Sequence, residues 1–215
     1  MIDGRPDLLI VGGLSVDRLA DGSRTAGGTV VHGAWAVAAA GRRVATITVA
    51  GPEPEAAAAV LELAGLGPSV ATAAPTSIRC AFRGSDPRQL VFESMGGDVP
   101  LSAADVATVD PCAVLLGPVA GELSAASVRA CGGAPVRVAA IQGWLRLLVP
   151  GREVRPLPLD ALRGDLAEAL AGLDALVASD EDLAAVPLSS SRPAATARGW
   201  QIPLRGSATY RSRTA

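Results

Sequence analysis

The segment from residue 7 to residue 51 constrains the fold most, because it places a helix-forming stretch between two apolar runs. The runs at 8–11 and 44–49 are short, rich in β-branched residues and bounded by glycine, as buried parallel strands usually are. The stretch at 29–40 contains helix formers throughout and predicts a helix. Strand, helix and strand in this order predict an α/β domain built on a parallel sheet.

A carboxylate and two glycines between these elements form the candidate ligand site. Asp17 follows the first strand, and the glycine pair Gly27 and Gly28 directly precedes the helix. A carboxylate accepts hydrogen bonds from hydroxyl groups, and glycine lets a small ring lie close to the main chain. This order favours a site for a small polyol. Considered alone, Asp17 would be assigned to capping a turn, and Gly27-Gly28 to an ordinary turn.

The rest of the chain continues the alternation of strand and helix signals. The segment 52–64 predicts a helix with proline and glutamate in its first turn. Three strand-like pieces with alternating polarity follow, at 68–72, 77–83 and 89–93. Alternating polarity indicates strands with one solvent-exposed face. These pieces predict a small β-lid formed by residues 15–25 and 68–95. Further strands are predicted at 113–116, 136–141 and 175–178, with helices that begin at Ser102 and span 124–130 and 160–172.

Composition excludes several classes of protein. With 49% hydrophobic but only 3% aromatic residues, the core must be built mainly from Ala, Val, Leu and Ile. A net charge of −2 argues against a nucleic-acid partner. Membrane association is not expected, since no apolar run approaches the ~20 residues of a membrane helix. Three widely spaced cysteines support neither a disulfide framework nor a zinc site. Together with an N-terminus unlike a signal peptide, this predicts a cytoplasmic protein.

The motifs of this first segment resemble the N-terminal part of the ribokinase-like (PfkB) carbohydrate kinase family. That family has a strand V-G-x-x-x-x-D, followed by G-G-x-x-x-N-x-A at a helix start. The matching positions in this chain are Val11, Gly12 and Asp17, then Gly27, Gly28, His32 and Ala34. His32 stands where the family carries its sugar-binding asparagine. Some members have an aromatic residue there, so the difference implies another ligand and does not exclude one.

The resemblance implies a three-layer αβα fold with a mostly parallel sheet and a small β-lid. It implies ATP-dependent phosphoryl transfer to a hydroxyl of a sugar or nucleoside, with ATP and Mg²⁺ as cofactors and a homodimer through the lid. Asp17, Gly27, Gly28 and His32 would bind the acceptor substrate. Ser179 and Asp182 match family positions near the phosphates and their magnesium. An N-cap with first-turn acids explains Ser179 and Asp182 equally well.

The resemblance covers residues 7–186 and then stops. Residues 1–186 are predicted to form the ribokinase-like domain, whereas 187–215 show no apolar period and are predicted to be an unrelated, disordered tail. The family's G-A-G-D turn supplies backbone N–H groups for the transferring phosphoryl group and the catalytic base, and this sequence lacks it. The C-terminal part of the fold is therefore expected to be missing, as in a truncated or frameshifted gene, and no catalytic residue is assigned. The alternative is a non-catalytic remnant that binds a small polyol.

Other interpretations remain for the residues singled out. His32 is the only histidine. Its position is as compatible with a helix-surface or packed imidazole as with a ligand-binding one. The stretch from Gln142 to Arg146 resembles a Q-G-W-x-R segment of one branch of the same family, although Trp144 could be a core residue and Arg146 a solvated one. A dinucleotide-binding enzyme is disfavoured, because G-x-G-x-x-G before a helix is missing.

Overall fold

The computed structural model of the chain describes residues 4–82 and 90–178. The predictions for Ser179, Asp182 and the tail 187–215 lie outside the described residues. The strands, numbered in chain order, are β1 (Leu8–Gly13), β2 (Ser15–Arg18), β3 (Arg24–Gly27), β4 (Val44–Ala50), β5 (Ser69–Ala73), β6 (Ile78–Phe82), β7 (Leu90–Ser94), β8 (Val114–Leu116), β9 (Arg137–Ala140), β10 (Arg146–Leu147), β11 (Arg155–Pro156) and β12 (Ala175–Val177).

Five α-helices are found in the described part of the chain: α1 (Thr29–Ala39), α2 (Pro54–Leu66), α3 (Ala103–Val109), α4 (Ala125–Ala130) and α5 (Gly164–Ala171). Short 3₁₀ segments occur at Cys131–Gly133, Ile141–Leu145 and Leu159–Ala161. None of the described helices is long and apolar enough to cross a membrane.

A six-stranded sheet in the order β12-β9-β8-β1-β4-β5 forms the centre of the domain, and all its neighbouring strands run parallel. Side chains alternate between its two faces. In β1, Leu9 and Val11 point to a core shared with α3, α4 and α5, whereas Ile10 points to a second core with α1 and α2. All three are fully buried, and each contributes about 1.5–3 kcal/mol through burial. The result is the expected three-layer αβα arrangement.

A second sheet, in the order β3-β2-β6-β7, forms the lid. Strand β2 pairs antiparallel with β3 and parallel with β6, and β6 pairs antiparallel with β7. Residues 151–154 extend this sheet beyond β7. The amide of Phe92 donates to the carbonyl of Arg152 at 3.0 Å, and that of Val154 donates to Leu90 at 2.7 Å. The β7 edge of the lid is therefore occupied by the chain itself.

Two predicted elements differ from the structure. The sequence predicts the piece at 68–72 to belong to the lid, but β5 lies in the central sheet, paired with β4. It is the edge strand of that sheet and is largely exposed, so its sequence resembles that of a lid strand. The helix predicted at 160–172 begins only at Gly164, because Leu162 and Arg163 adopt extended backbone conformations after the 3₁₀ turn.

Helix α3 begins with a capping box, which gives a first prediction. The Ser102 hydroxyl accepts from the amide of Asp105 at 3.2 Å, and the Asp105 carboxylate accepts from the amide of Ser102 at 2.8 Å. Substituting Ser102→Ala is expected to lower the free energy of unfolding by about 1 kcal/mol, because it removes one cap acceptor. Urea denaturation measures this, with Thr108→Ala, inside the same helix, as the comparison. A change below about 0.3 kcal/mol would contradict the capping role.

Candidate functional site

A hollow of about 410 Å³ opens where the lid meets the central sheet. The lid strands β2, β6 and β7 form one wall, and the first turn of α1 forms the second. The third wall comes from the loop after β8 and from the segment that joins β9 to β10. A second hollow, of about 490 Å³, lies along the β10–β11 hairpin and is lined by none of the residues predicted for the site.

Asp17 lies in β2, on the lid wall of the hollow. Its partner across the lid sheet is Thr25 of β3, and Gly27 pairs with Ser15. A Cβ on Gly27 would lie 2.7 Å from the Asp17 carboxylate and 2.9 Å from the Ser15 hydroxyl. Gly27 therefore does not line the hollow; it leaves room for the side chains that do.

The electrostatics of Asp17 are set by its burial. Removal from water raises the pKa of the Asp17 carboxyl, while the Ser15 hydroxyl and electrostatic interactions with His32 and Arg146 lower it, with burial prevailing. A buried carboxylate with incomplete compensation favours a ligand that donates hydrogen bonds to it.

Gly28 joins the lid to α1 and lines the hollow directly. Its backbone has φ 96° and ψ 160°, a region that side chains disfavour, and a Cβ there would meet the Gly13 carbonyl oxygen at 2.7 Å. Half-buried Thr29 and exposed His32 follow in the first turn of α1 and line the same hollow. Asp17, Gly28 and His32 thus line one hollow, and their role in binding an acceptor stays a prediction.

The third wall carries two polar side chains from the Q-G-W-x-R segment. Gln142 comes from the 3₁₀ segment after β9, and Arg146 begins β10; both line the hollow. Trp144, between them, is buried and its indole N–H donates to the Leu123 carbonyl at 2.8 Å. Trp144 thus belongs to the core. Arg146 is not simply solvated, because its Nη1 donates to the Val119 carbonyl at 3.3 Å.

Cys80 contributes a thiol to the lid wall of the hollow. Burial, with the neighbouring negative charge of Asp17, raises the pKa of this thiol to about 12. It is therefore protonated at neutral pH and is not a nucleophile. All three cysteines of the chain are free, and Cys112 alone is exposed.

Sequence reasoning did not assign Gln142, Arg146, Cys80 or the Pro118–Val119 loop to the site. The resemblance of the Q-G-W-x-R stretch was the one signal that could have indicated the first two. The described residues contain no group of three or more His, Cys, Asp or Glu side chains arranged to hold a metal ion.

The raised pKa of Asp17 gives a prediction about stability and pH. The folded protein holds this proton more tightly than the unfolded chain does, so ionising Asp17 costs stability as the pH rises above 3.8, its ordinary value. This loss of stability is absent below pH 3.8 and complete above the raised pKa of Asp17. Asp17→Asn, which cannot ionise, is expected to be more stable than the wild type at pH 7 and not at pH 3. Urea unfolding at both pH values tests this, and a variant less stable at pH 7 would contradict it.

Comparisons with known proteins support the fold. No protein-family model matches the sequence, and no curated protein matches it significantly. A solved pyrophosphate-dependent kinase of the ribokinase family, complexed with a pyrophosphate analogue and myo-inositol, superposes with a TM-score of 0.64 at 21% identity, over 80% of this chain and 60% of that one. An uncharacterized sugar kinase from Pyrococcus horikoshii gives 0.54 at 15% identity, over 81% and 66%. Its complex with ATP gives 0.52 at 14%, over 79% and 62%.

The chain therefore has the ribokinase-like α/β fold that the sequence motifs predicted. It spans about three fifths of the length of the first solved structures it matches, with shares of 60%, 58% and 60%.

Proposed function

We propose that this chain binds a small polyol in the hollow between lid and sheet, as the acceptor of phosphoryl transfer in a carbohydrate kinase. The observation that carries the proposal is the convergence of Asp17, Gly28 and His32 with Gln142 and Arg146 on that hollow. The kinase folds that the chain resembles, among them one complexed with myo-inositol, support it.

The chemistry of the walls suits a polyhydroxylated molecule. The Asp17 carboxylate accepts hydrogen bonds and donates none, whereas the Arg146 guanidinium only donates. A hydroxyl group does both, so neighbouring hydroxyls on one ring can hydrogen-bond to the two side chains at once. Ligand hydroxyls would also replace part of the hydration that Asp17 loses through burial, which is the cost seen in its raised pKa.

The phosphoryl donor is proposed by resemblance. ATP is bound in the sugar kinase from Pyrococcus horikoshii, and a pyrophosphate analogue in the ribokinase-family kinase. The expected Mg²⁺ would lie near Ser179 and Asp182, which fall outside the described residues. We therefore assign to the described residues only the binding and orientation of the acceptor.

A second candidate function is polyol binding without phosphoryl transfer. It requires no more than the hollow itself, whose lining side chains can accept hydrogen bonds from hydroxyl groups and donate to them.

A homodimer through the lid also remains a prediction. It would need a surface other than the β7 edge, because residues 151–154 already occupy that edge.

Titration calorimetry of the 215-residue chain with myo-inositol, ribose, adenosine, ATP and pyrophosphate separates the candidates. Binding of at least one polyol is expected, with Kd roughly between 1 µM and 1 mM, the usual range for acceptor substrates. Polyol binding combined with phosphorylated product, detected by ³¹P NMR in the presence of ATP or pyrophosphate and Mg²⁺, supports the kinase. Polyol binding without product supports the second candidate. If no polyol binds even at roughly 10 mM, ten times the upper end of that range, both candidate functions are contradicted.

A further inference from the structure

The loop between β8 and α4 forms part of the third wall, and a single buried side chain holds it. Glu122 is 1% exposed. Its Oε1 accepts from the amide of Gly13 at 2.6 Å and from that of Val119 at 2.9 Å. Its Oε2 accepts from the amides of Val119 at 3.1 Å and Ala120 at 2.7 Å. One carboxylate thus joins the end of β1 to the loop that lines the hollow.

The surrounding backbone is shaped to admit this carboxylate. A Cβ on Gly13 would lie 2.8 Å from Glu122 Oε1, so the last residue of β1 leaves space for it. Both side-chain oxygens accept hydrogen bonds from backbone N–H groups. A carboxylate has two such acceptor oxygens, whereas a side-chain amide has only one. Gly13 ends β1, whereas Val119 and Ala120 lie in the loop after β8. Without the carboxylate these N–H groups would lose their acceptor, which is unfavourable away from water.

The Glu122 hydrogen bonds extend to the polyol site through Val119. The amide of Val119 donates to Glu122, and its carbonyl accepts from Arg146 Nη1 at 3.3 Å. Val119 and Arg146 both line the hollow, whereas Glu122 does not. The Glu122 carboxylate therefore fixes the Val119 peptide unit, to whose carbonyl the Arg146 guanidinium donates.

We propose that Glu122 is a positioning residue for the acceptor site. It orients the Pro118–Ala120 loop and, through the Val119 carbonyl, the guanidinium of Arg146. The inference rests on the proposed function, since its consequence is a loss of polyol affinity. A purely structural role would lower stability without changing the affinity of the protein that remains folded.

The test compares Glu122→Gln and Glu122→Asp with the wild type. Glu122→Gln keeps the volume but turns an N–H₂ group toward at least one backbone N–H; Glu122→Asp keeps the charge but is too short to reach both partners. Affinity for the polyol that binds the wild type best is expected to fall about 10-fold in Glu122→Gln, as for the loss of about 1.4 kcal/mol of hydrogen bonding. If Glu122→Gln does not fold, Glu122→Asp decides the result. Ser102→Ala, destabilised at a site remote from the hollow, should keep wild-type affinity.

Coupling to Arg146 distinguishes positioning from general loosening. In an Arg146→Gln background, Glu122→Gln should weaken binding by less than ~3-fold, because the group it orients is gone. The full 10-fold loss in that background, or wild-type affinity in a folded single variant, would overturn the inference. Hydrogen exchange of the Gly13, Val119 and Ala120 amides is expected to accelerate in Glu122→Gln, whether or not polyol is present, and unchanged exchange would also overturn it. Absence of polyol binding by the wild type would instead contradict the proposed function, which keeps the two failures distinguishable.

Discussion

Replacing Gly28 by alanine is expected to lower the free energy of unfolding by about 4 kcal/mol. The backbone of Gly28 has φ 96°, and holding a side chain in so disfavoured a region costs about 1–3 kcal/mol. The new Cβ would also lie 2.7 Å from the Gly13 carbonyl oxygen and 3.2 Å from a methyl group of Val119. Overpacking of this kind costs a further 1–3 kcal/mol or so. Urea or thermal denaturation measures the sum.

Two other glycines provide matched controls for this substitution. Gly41 has φ 69° with nothing within 4 Å of an added Cβ, so Gly41→Ala isolates backbone strain and should cost about 1–2 kcal/mol. Gly65 lies inside α2, also with open space, and Gly65→Ala should stabilise the helix by up to about 1 kcal/mol. If Gly28→Ala lowers the free energy of unfolding no more than Gly41→Ala does, the close contact between the new Cβ and the Gly13 carbonyl oxygen adds no destabilisation, which would contradict this prediction.

Asp17→Asn is expected to abolish measurable polyol binding. A hydrogen bond to a charged group contributes about 1.5–3 kcal/mol, so losing the charged acceptor of two hydroxyl groups weakens binding by about 100-fold or more. The variant should remain folded, because burial already disfavours the ionised carboxyl. Calorimetric titration with the polyol that binds the wild type best measures the change.

Asp160→Asn is the control for that experiment. Asp160 lies in the 3₁₀ segment before α5, is largely exposed and does not line the hollow. Its substitution removes the same charge and should leave polyol affinity unchanged. Equal affinities of Asp17→Asn and the wild type would remove Asp17 from the binding site.

Much of the candidate site could be predicted because it is local in sequence. Asp17, Gly28 and His32 lie on consecutive elements whose signals are strong: an apolar strand, a glycine pair and an alanine-rich helix. The sequence predicts Gly27 to belong to the same site, yet Gly27 lies behind Asp17 and makes space for its carboxylate. Glycine patterns show that a Cβ is not tolerated, but they do not show which group occupies the space.

The third wall could not be predicted in the same way. Gln142 and Arg146 are separated from Asp17 by more than 120 residues of sequence, and only the parallel order of β1, β8 and β9 brings their loops to one end of the sheet. Arg146 carries no local signal of its role, since an arginine beside a short strand is usually solvated. Its contact with the Val119 carbonyl depends on a loop fixed by Glu122.

The edge strand β5 shows the complementary difficulty. Its residues are mostly exposed, so its sequence resembles a lid strand more than a central one. Pairing with β4 decides its place. Hydrophobic periodicity reports how much of a strand is covered and not which sheet it joins.

By itself, the sequence determined the α/β class, the strand–helix order and the proximity of Asp17, Gly28 and His32, because side-chain type and spacing set local conformation. The tertiary structure alone decided that β5 belongs to the central sheet, that Arg146 and Gln142 face Asp17 across a hollow, and that Glu122 holds the loop between them. These relations join segments far apart in the chain, and they arise only when burial on both faces of one parallel sheet fixes where its strand ends meet.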